Sequence, residues 1–461
     1  MRSTLIRALV IVMLVPPRLV SAVSVADEKE LGRRFALEAA GQLPVVTDPA
    51  VVDLVRDMGK RLVDTLGAQP FDYEFQVAAH PALNAFAVPG GHIWVFSGLM
   101  SKVTSIDELA SVMGHEVAHV HAHHAARQQE ETRLWNYAAL LGVLLSAIQP
   151  VLGAGAIAAA QAAGLRYTRE FEEEADYLGL RFMHGAGYDP AAMPSFFKMI
   201  LAEQRLNPTG MPPYLLTHPL TEDRITKVET SLAAFARPRK PAPPEAARDL
   251  EEARAVLRAA AEPPDLVLGE YRRRAEAAPK DGFAWYLYGV ACGSAGRLDA
   301  ATSALKKSAS LGGGGRRLPL RLASVYLRQG RAGDARATLE PYVATHGSDA
   351  AARMLLGQTL IELGEGARGV TELQGAVSLD PTQAESHQML GMEYGRGGRS
   401  GDAFIHLAKS HELRGKLPEA LSYYIRARDV LGPTDSRAES IGASIAELGE
   451  IVGAQQRQQR R

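Results

Sequence analysis

Cysteine is almost absent from this sequence, since Cys292 is the single one among 461 residues. An intramolecular disulfide needs two cysteines, and a cysteine-based zinc or iron–sulfur site needs more. The sequence therefore excludes both a disulfide framework and a thiolate metal site. Any metal ion bound by this chain must be held by histidine and carboxylate side chains.

Aromatic residues and net charge are also scarce. Aromatic residues make up 6% of the chain, and the formal net charge is −1. A near-neutral chain has no general basic field to attract nucleic acid, so no nucleic-acid partner is expected. The 46% apolar and 22% charged residues are ordinary globular usage, which excludes a largely disordered chain. The length predicts two to four domains, and the low aromatic content favours packed helices over β-sandwiches.

The chain begins with a short apolar run rather than a membrane-spanning one. Two arginines precede the apolar residues 8–15, a proline pair ends the run, and small residues follow. This order is typical of a secretory signal peptide. We predict a signal peptide over 1–26, cleaved after Ala22 or Ala26; an uncleaved N-terminal anchor is the alternative. Either way the bulk of the chain is expected outside the cytoplasm, in the periplasm or at the outer face of a membrane.

A second apolar segment, 134–164, also falls short of a membrane span. Gln149-Pro150 divides it into two pieces, each shorter than the roughly 20 residues that a transmembrane helix needs. We expect buried helices of a compact domain here. The alternative is a hairpin that touches a membrane, giving the protein a peripheral membrane contact.

The N-terminal half mixes helical and strand patterns. Apolar spacing predicts two helices within 28–66, and alternation predicts strands in 71–79 and 91–97. A helix is predicted from Ser105 to about Gln128, because Ser105 and Glu108 form a capping box.

Further helices are predicted downstream of these elements. One covers 169–185, one opens at Pro190, and one runs from Thr221 to about 236. The proline-rich residues 237–247 then read as a linker, which places a domain boundary there.

A 34-residue period follows the linker. Small residues recur in one column, glycines in a second and leucines in a third: Gly289, Ala323, Gly357, Gly391; Gly296, Gly330, Gly364, Gly398; Leu305, Leu339, Leu373, Leu407. The pattern predicts stacked helical hairpins with small residues where the helices touch. It resembles the tetratricopeptide repeat, and we place the array at 248–435. The residues 436–461 are predicted to be a C-terminal tail, of which the polar end 455–461 is expected to be frayed.

The sequence His115-Glu116-Val117-Ala118-His119 carries the chemistry. On a helix, His115 and His119 lie on one face and can bind one metal ion. Glu116 is placed to take a proton from a water activated by that ion. The histidines that follow suggest a second metal site as one alternative; we expect them instead to extend off the helix end as solvated or structural residues: His121, His123 and His124.

A third ligand must come from another segment. No third histidine stands at the spacing of the extended HExxHxxGxxH motif, which leaves the acidic run 169–176. Glu172 and Asp176 are four residues apart, on one helical face, so one can bind a metal while the other supports a ligating histidine. Spacing alone leaves Glu173 and Glu174 open as alternatives to Glu172.

Residues 28–236 resemble peptidase family M48, a family of zinc endopeptidases. The resemblance is carried by HExxH, by a downstream ExxxD matched by Glu172 to Asp176, and by an Asn-Ala-Phe-Ala-x-Pro-Gly-Gly run matched by Asn84 to Gly91. Residues 167–169 (Tyr-Thr-Arg) are similar to the family's Tyr-Ser-Arg lead. With the signal peptide and the repeats, the chain resembles the periplasmic branch of that family. It lacks the several transmembrane helices of other members, which argues against a role in processing prenylated proteins.

The resemblance implies a role for each matching residue. It implies one Zn²⁺ ion per chain, bound by His115, His119 and Glu172, with Glu116 as general base and Asp176 supporting a ligand from behind. It also covers the His-Pro segment that contains His218 and Arg224.

His218 and Arg224 have open roles at this stage. His218 can stabilise the oxyanion of the tetrahedral intermediate, or it can occupy the fourth zinc position at rest. Arg224 can hold Asp176 or the oxyanion. The simplest alternative for His218 is an ordinary histidine at a helix entry.

A short β-rich segment offers a place for substrate. An extended peptide can add to an exposed sheet edge through backbone hydrogen bonds. We predict that His92, Ile93, Trp94 and Val95 form this edge strand, although an ordinary sheet strand is the alternative.

Together these observations predict a mainly α protein. A zincin-type α+β metallopeptidase domain with a small β-sheet, over 27–236, precedes an all-α tetratricopeptide-repeat solenoid. The expected function is a zinc-dependent endopeptidase of the bacterial cell envelope, whose repeats recruit protein or peptide substrates or an assembly partner. The resemblance implies quality control of misfolded outer-membrane proteins. The alternative is a chaperone-like or scaffold protein of envelope assembly whose peptidase site is largely auto-inhibited.

Overall fold

The computed structural model of the protein describes residues 24–127, 168–206, 212–235 and 245–459. Most of the predicted signal peptide, the paired apolar helices and most of the predicted linker lie outside these residues. Val25 and Ala26, at the end of the predicted signal peptide, begin the first helix. In the described ranges no helix combines the length and apolarity that crossing a bilayer requires. The fold is mainly α with one small sheet, as the sequence predicts.

The first two helices are capped by their own sequence. Helix α1 covers Val25–Gln42 and begins with a capping box between Ser24 and Asp27. Helix α2 covers Pro49–Val63, and the Asp48 carboxylate accepts a hydrogen bond from the Ala50 amide at its start. These are the two helices predicted within 28–66.

Three strands form the sheet: β1 (Glu74–Ala78), β2 (Ala85–Val88) and β3 (His92–Phe96). The order is β1-β3-β2, with β3 parallel to β1 and antiparallel to β2. Strands β1 and β3 fall in the predicted segments. Strand β2 was not predicted, because its four residues are too short for alternation to stand out.

The position of β3 overturns the predicted substrate edge. His92, Ile93, Trp94 and Val95 pair with β1 on one side and with β2 on the other, so this strand is central. Strand β2 precedes β3 in sequence but lies on the far side of it, so that β3 is between β1 and β2. Within the described residues, β2 is the outer strand on that side of the sheet.

Helices cover both faces of the sheet. Trp94 and Phe96 pack with Phe35 of α1 in one apolar cluster. Ile93 and Val95 point to the opposite face and join the main core, which includes α2 and α4. This alternation fixes the register of β3, because a shift by one residue would exchange the two faces.

The remaining helices of the N-terminal domain frame the site: α3 (Ser97–Lys102), α4 (Ile106–His121), α5 (Arg169–Ala186), α6 (Ala192–Leu206), α7 (Pro213–Thr217) and α8 (Glu222–Ser231). Ser105 caps α4 by accepting a hydrogen bond from the Glu108 amide, but the predicted capping box is incomplete, because the Glu108 carboxylate accepts from the Thr104 amide rather than from that of Ser105. Helix α4 ends at His121 rather than near Gln128, because His123 has a left-handed backbone with φ of 53°.

The repeat array consists of paired helices: α9 (Glu245–Ala261), α10 (Pro264–Ala277), α11 (Gly282–Ser294), α12 (Leu298–Ser310), α13 (Leu318–Arg328), α14 (Ala332–Thr345), α15 (Ala350–Glu362), α16 (Gly366–Leu379), α17 (Ala384–Arg396), α18 (Ser400–Leu413), α19 (Leu417–Leu431) and α20 (Ala438–Gln459). The small-residue column lies where two helices of a hairpin touch. A Cβ added to Gly357 would lie 2.8 Å from Leu373 Cγ, and one on Gly391 would lie 2.7 Å from Leu407 Cγ. The predicted helical hairpins are confirmed.

The predicted C-terminal tail is mostly a helix, which includes residues 455–459 of the end that was expected to be frayed. Residues 438–459 form α20, and Ile441, Leu448, Ile451 and Val452 are buried in a cluster with α19. These apolar residues recur at helical spacing, so burial against the last hairpin stabilises a helix despite the polar end of the segment.

The array wraps one side of the N-terminal domain. Helix α9 packs on α2, and both contribute to the main core. Arg56 of α2 donates a hydrogen bond of 2.9 Å to Asp380 in a later hairpin connection. Farther along, the backbone at Gly415 packs closely against Ala40 of α1. The helices α1 and α2 therefore contact the array near its beginning, middle and end.

Candidate metal centre

Two glycines allow α4 and α5 to approach closely. A Cβ on Gly179 of α5 would lie 3.2 Å from the His115 backbone nitrogen, and one on Gly114 would lie 3.3 Å from the Gly179 carbonyl oxygen. The close approach places side chains of the two helices against each other. It brings the HExxH face of α4 to the acidic face of α5.

Four buried side chains converge between these helices and the turn after α7. One ligand atom from each of His115, His119, Glu172 and His218 lies within 4.8 Å of the others. The Nε2 atoms of His115 and His119 are 3.0 Å apart, and Glu172 Oε1 lies 3.5 Å from His119 Nε2. The structure thus brings together the predicted ligands, with His218 among them.

A buried ion pair supports the cluster from behind. Arg224 donates hydrogen bonds of 2.8 Å from Nε and Nη2 to the two oxygens of Asp176. Its Nη1 lies 2.6 Å from Glu172 Oε2, and His115 Nδ1 lies 3.0 Å from Asp176 Oδ1. Asp176 therefore faces the back of one predicted ligand, and Arg224 joins both acids.

Glu116 faces the cluster from the same helix as the two histidines. It is buried, and its Oε1 lies 3.5 Å from His218 Nε2. Within the described ranges this oxygen has no hydrogen-bond partner. A buried carboxylate oxygen without a partner is costly in a folded protein, and it is expected where a carboxylate serves a ligand or substrate.

Burial and neighbouring charges set the protonation of the donors. Burial lowers the pKa of His119 well below its ordinary value, so its imidazole is neutral, as metal ligation requires. Burial raises the pKa of Glu172, but the positive charges of His218 and Arg224 outweigh this, and its pKa lies well below the usual range. A neutral histidine and an ionised carboxylate are the forms that bind a metal.

His218 sits at the C-terminal end of α7. Its Nδ1 lies 3.0 Å from Glu172 Oε1 and 3.3 Å from His115 Nε2. Its ring stacks on Tyr214 with a centroid distance of 4.7 Å, which fixes its orientation. Burial lowers the pKa of His218, but the carboxylates of Glu172 and Glu116 raise it above its ordinary value overall.

The neighbouring acids of α5 point elsewhere. Glu173 pairs with Lys227, and Glu174 pairs with Arg127, both at the surface. Among the three consecutive glutamates, only Glu172 reaches the cluster, because the helix turns its two neighbours outward. The geometry favours Glu172 over the two alternatives that spacing had left open.

Two residues near the cluster were missed by the sequence analysis. No sequence motif indicated that Tyr214 would lie beside the cluster, because its position depends on the fold around α7. His124 was expected beyond the helix end, yet it is fully buried, and its Nδ1 lies 2.9 Å from His119 Nδ1. Its position depends on the break in α4, which the sequence does not reveal.

The donor set fits a divalent transition metal. Imidazole and carboxylate ligands suit zinc and related ions, and three protein ligands beside a general base are typical of catalytic sites. The unpaired Glu116 oxygen, directed at the same cluster, supports this fit.

Comparison with protein-family models follows this geometry. The model described as peptidase family M48 matches residues 51–232, and a tetratricopeptide-repeat model matches residues 294–358. The chain carries an M48 peptidase domain. The M48 domain holds every residue of the cluster, and the matched repeats lie in the array that wraps it.

Relatives from bacteria and from mitochondria match part of this chain. The "Putative beta-barrel assembly-enhancing protease" of Vibrio cholerae is 39% identical over 45% of this chain and 44% of its own length. The "Beta-barrel assembly-enhancing protease" of Escherichia coli is 32% identical over 44% of each chain. The "Mitochondrial metalloendopeptidase OMA1" of Arabidopsis thaliana is 37% identical over 33% of this chain and 30% of that protein. The matches span less than half the length of these relatives.

Solved structures match parts of the chain comparable in size to the array. The structure "MamA 41-end from Desulfovibrio magneticus RS-1" is 25% identical, covers 37% of this chain and 96% of its own, and has a TM-score of 0.32. The structure of "YrrB: a TPR protein with an unusual peptide-binding site" is 19% identical, covers 38% of this chain and 89% of its own, and has a TM-score of 0.30.

Proposed function

We propose that this protein is a zinc-dependent endopeptidase of the bacterial cell envelope. The observation that carries the proposal is the buried convergence of His115, His119, Glu172 and His218 within 4.8 Å, with Glu116 directed at them. One zinc ion per chain, held by His115, His119 and Glu172, would supply a Lewis acid that lowers the pKa of a water molecule.

The side chains around that site divide the remaining work. Glu116 accepts the proton of the attacking water and passes it to the leaving amine. Asp176 orients His115 from behind, and Arg224 balances the charges of Asp176 and Glu172. In this proposal Arg224 is a positioning residue, because its guanidinium group already pairs with the carboxylates of Asp176 and Glu172.

The substrate strand belongs at β2 rather than at β3. Phe96 donates its amide hydrogen to the Asn84 carbonyl, so pairing with β3 uses Asn84, Phe86 and Val88, and the backbone groups of Ala85 and Ala87 face outward by alternation. Strand β2 also packs near α4, which carries HExxH. We propose that an extended peptide pairs with this outer edge.

His218 supports a second candidate function, a scaffold of envelope assembly with a largely auto-inhibited site. Its Nδ1 lies among the donor atoms, 3.0 Å from Glu172 Oε1, as a fourth ligand would. A histidine in that position blocks water until it moves. The same side chain, once displaced, can stabilise the oxyanion instead.

Location and partners follow from the relatives. Two relatives are named for enhancing β-barrel assembly. We propose a periplasmic location, reached through the signal peptide over 1–26, and a role in quality control of outer-membrane proteins. The repeats would recruit a substrate or an assembly partner through the surface that the M48 domain leaves free.

A casein-degradation assay on the zinc-loaded full chain tests the proposal with three proteins. We expect Glu116→Gln to retain zinc and lose turnover by roughly 10²–10⁴-fold. His218→Ala raises turnover if His218 blocks the site and lowers it if His218 serves the oxyanion. If wild type and His218→Ala both bind zinc and both leave casein intact, the peptidase function is wrong and the scaffold function is favoured.

A further inference from the structure

The two histidines of HExxH are supported from behind in different ways. His115 Nδ1 lies 3.0 Å from the Asp176 carboxylate. His119 Nδ1 instead lies 2.9 Å from Nδ1 of His124, a histidine with no solvent exposure. A metal-binding histidine usually donates its second ring N–H to a carboxylate, a carbonyl or water. For His119 this partner is another imidazole.

A break in the chain makes this contact. Residues five apart on a continuous α-helix point about 140° away from each other, so His119 and His124 would not meet on an unbroken α4. The helix ends at His121, and His123 turns the chain through a left-handed conformation with φ of 53°. Non-glycine residues rarely adopt this conformation. Here it brings the His124 ring back toward the cluster.

The hydrogen bonds along this chain have a single consistent direction. The Nε2 of His119 faces His115 and Glu172, so its lone pair is the one available to a metal, and with a metal bound its proton would be on Nδ1. The Nδ1–H then donates to the His124 Nδ1 lone pair.

The outer end of the chain gives the same direction independently. His124 Nε2 lies 3.2 Å from Glu174 Oε2, and a carboxylate oxygen only accepts. The His124 proton is therefore on Nε2, which leaves Nδ1 as an acceptor. The opposite direction would set two lone pairs against each other at Glu174.

Neighbouring side chains fix the His124 ring. It stacks on Phe171 with a centroid distance of 4.6 Å and an interplanar angle of 12°. Arg127 covers the Phe171 ring at 4.5 Å and donates a hydrogen bond of 2.9 Å to Glu174. Phe171 is adjacent to Glu172 on α5, so the assembly ties the end of α4 to the helix that carries the carboxylate ligand.

We propose that His124 is a positioning residue that fixes the tautomer and ring orientation of His119 by accepting its Nδ1 proton, in a chain from His119 through His124 to Glu174. The inference rests on the proposed metal site and assigns a role to a residue outside HExxH. His124 itself touches neither metal nor substrate.

Metal affinity of the full chain, measured by competition with a chelator, gives the first test. We expect His124→Phe, which keeps the ring stack but lacks the acceptor, to weaken zinc binding by roughly 10–100-fold. His124→Asn places an oxygen near the Nδ1 position and should recover most of that loss. His121 is the last residue of α4 and lies three residues before His124. His121→Ala therefore serves as the matched control and should bind zinc like wild type.

Histidine ¹⁵N NMR of the zinc-loaded wild-type chain gives the second test, which needs no variant to fold. We expect His119 to carry its proton on Nδ1 and His124 on Nε2. A proton on Nδ1 of His124, or a His124→Phe affinity within twofold of wild type, would overturn the inference. A wild type that binds no zinc would instead overturn the proposed function, so the two failures are distinguishable.

Discussion

Arg321 of the repeat array donates two hydrogen bonds to the carboxylate of Asp48, at 2.7 and 2.9 Å. Asp48 also caps α2 by accepting from the Ala50 amide. The same guanidinium donates to Glu252 of α9 at 2.9 Å. Burial raises the pKa of Asp48 and the Arg321 charge lowers it, with a net shift downward. The Arg321 side chain thus links the array to the start of α2.

Replacing Arg321 should destabilise the whole protein. We expect Arg321→Ala to lower the free energy of unfolding by about 2–3 kcal/mol, because two largely buried carboxylates lose their cation. Urea denaturation monitored by circular dichroism measures the change. Arg428→Ala removes an exposed pair with Asp429 and should change stability by no more than about 0.5 kcal/mol. Equal losses in the two variants would show that the interface contributes nothing particular.

Arg224 should make the stability of the M48 domain depend on metal. Without this cation the buried carboxylates of Asp176 and Glu172 repel each other. We therefore expect Arg224→Ala to lower the free energy of unfolding of the metal-free protein by about 3–5 kcal/mol. Added zinc should recover part of the loss, since it binds the folded state and neutralises Glu172. Thermal unfolding with and without zinc measures both effects. A zinc-induced shift no larger than that of wild type contradicts the prediction.

The three consecutive glutamates of α5 should differ sharply in metal binding. We expect Glu172→Ala to abolish stoichiometric zinc binding and Glu173→Ala to leave it unchanged, since Glu173 pairs only with Lys227 in the described contacts. Glu174→Ala should weaken it by a few-fold through His124. Elemental analysis after dialysis gives the stoichiometry, and His115→Ala and His119→Ala provide reference losses. Greater damage from Glu173→Ala or Glu174→Ala would show that the ligand assignment is wrong.

The outer edge of β2 should be needed for substrate but not for metal. Ala87→Pro removes an outward amide, and an edge strand tolerates proline where that amide faces away from the sheet. We expect kcat/KM on an extended peptide to fall about tenfold, the effect of one lost hydrogen bond, with zinc stoichiometry unchanged. Ala87→Ser keeps the amide and serves as control. A loss of folding in Ala87→Pro would mean that this amide pairs within the protein.

A histidine pair in the array predicts acid sensitivity. His406 Nδ1 lies 3.0 Å from His387 Nδ1 between α17 and α18. Burial and the neighbouring His387 lower the pKa of His406 to about 4, with Asp402 opposing and Arg399 and Arg437 adding to the shift. The unfolded chain takes up this proton near pH 6.5, whereas the native state takes it up only near pH 4.

Stability should therefore be complete above pH 6.5 and fall as the pH drops toward 4. We expect a loss on the order of 1–3 kcal/mol over this window, levelling off below it. Urea denaturation at a series of pH values measures it. His406→Gln removes one of the titrating groups and should make the profile shallower than in wild type across that interval, while His346→Gln should leave the slope as in wild type. An unchanged slope in His406→Gln would contradict the assignment.

The sequence predicted the features of the fold and the site that are set by residues close to one another in the chain. The four-residue spacing of His115 and His119 fixes them on one helical face wherever the helix lies. The Ser105 cap and the 34-residue columns likewise act within one element or one hairpin. Spacing alone predicted the third ligand only as an acid on a second helix, and the family resemblance was needed to name Glu172. Spacing cannot separate Glu172 from Glu173, because the choice depends on how α5 rotates against α4.

The remaining features depend on contacts distant in sequence. Strand order is set by which segments pair, so alternation in 91–97 could not show that β3 is central. The left-handed turn at His123 reverses the direction of His124, and no spacing rule anticipates it. The contacts of the array with α1 and α2 join residues far apart in sequence, 273 positions in the case of Arg321 and Asp48.

The core shared by α2 and α9 has a consequence for how the protein unfolds. Apolar residues of the M48 domain and of the first hairpins belong to one buried cluster, so unfolding should proceed as a single cooperative transition. Truncation at residue 247 would remove about a third of the residues of that cluster and cannot isolate an intact peptidase. Proteolytic nicking of the linker, by contrast, should yield two fragments that co-elute, bound to each other without a covalent connection.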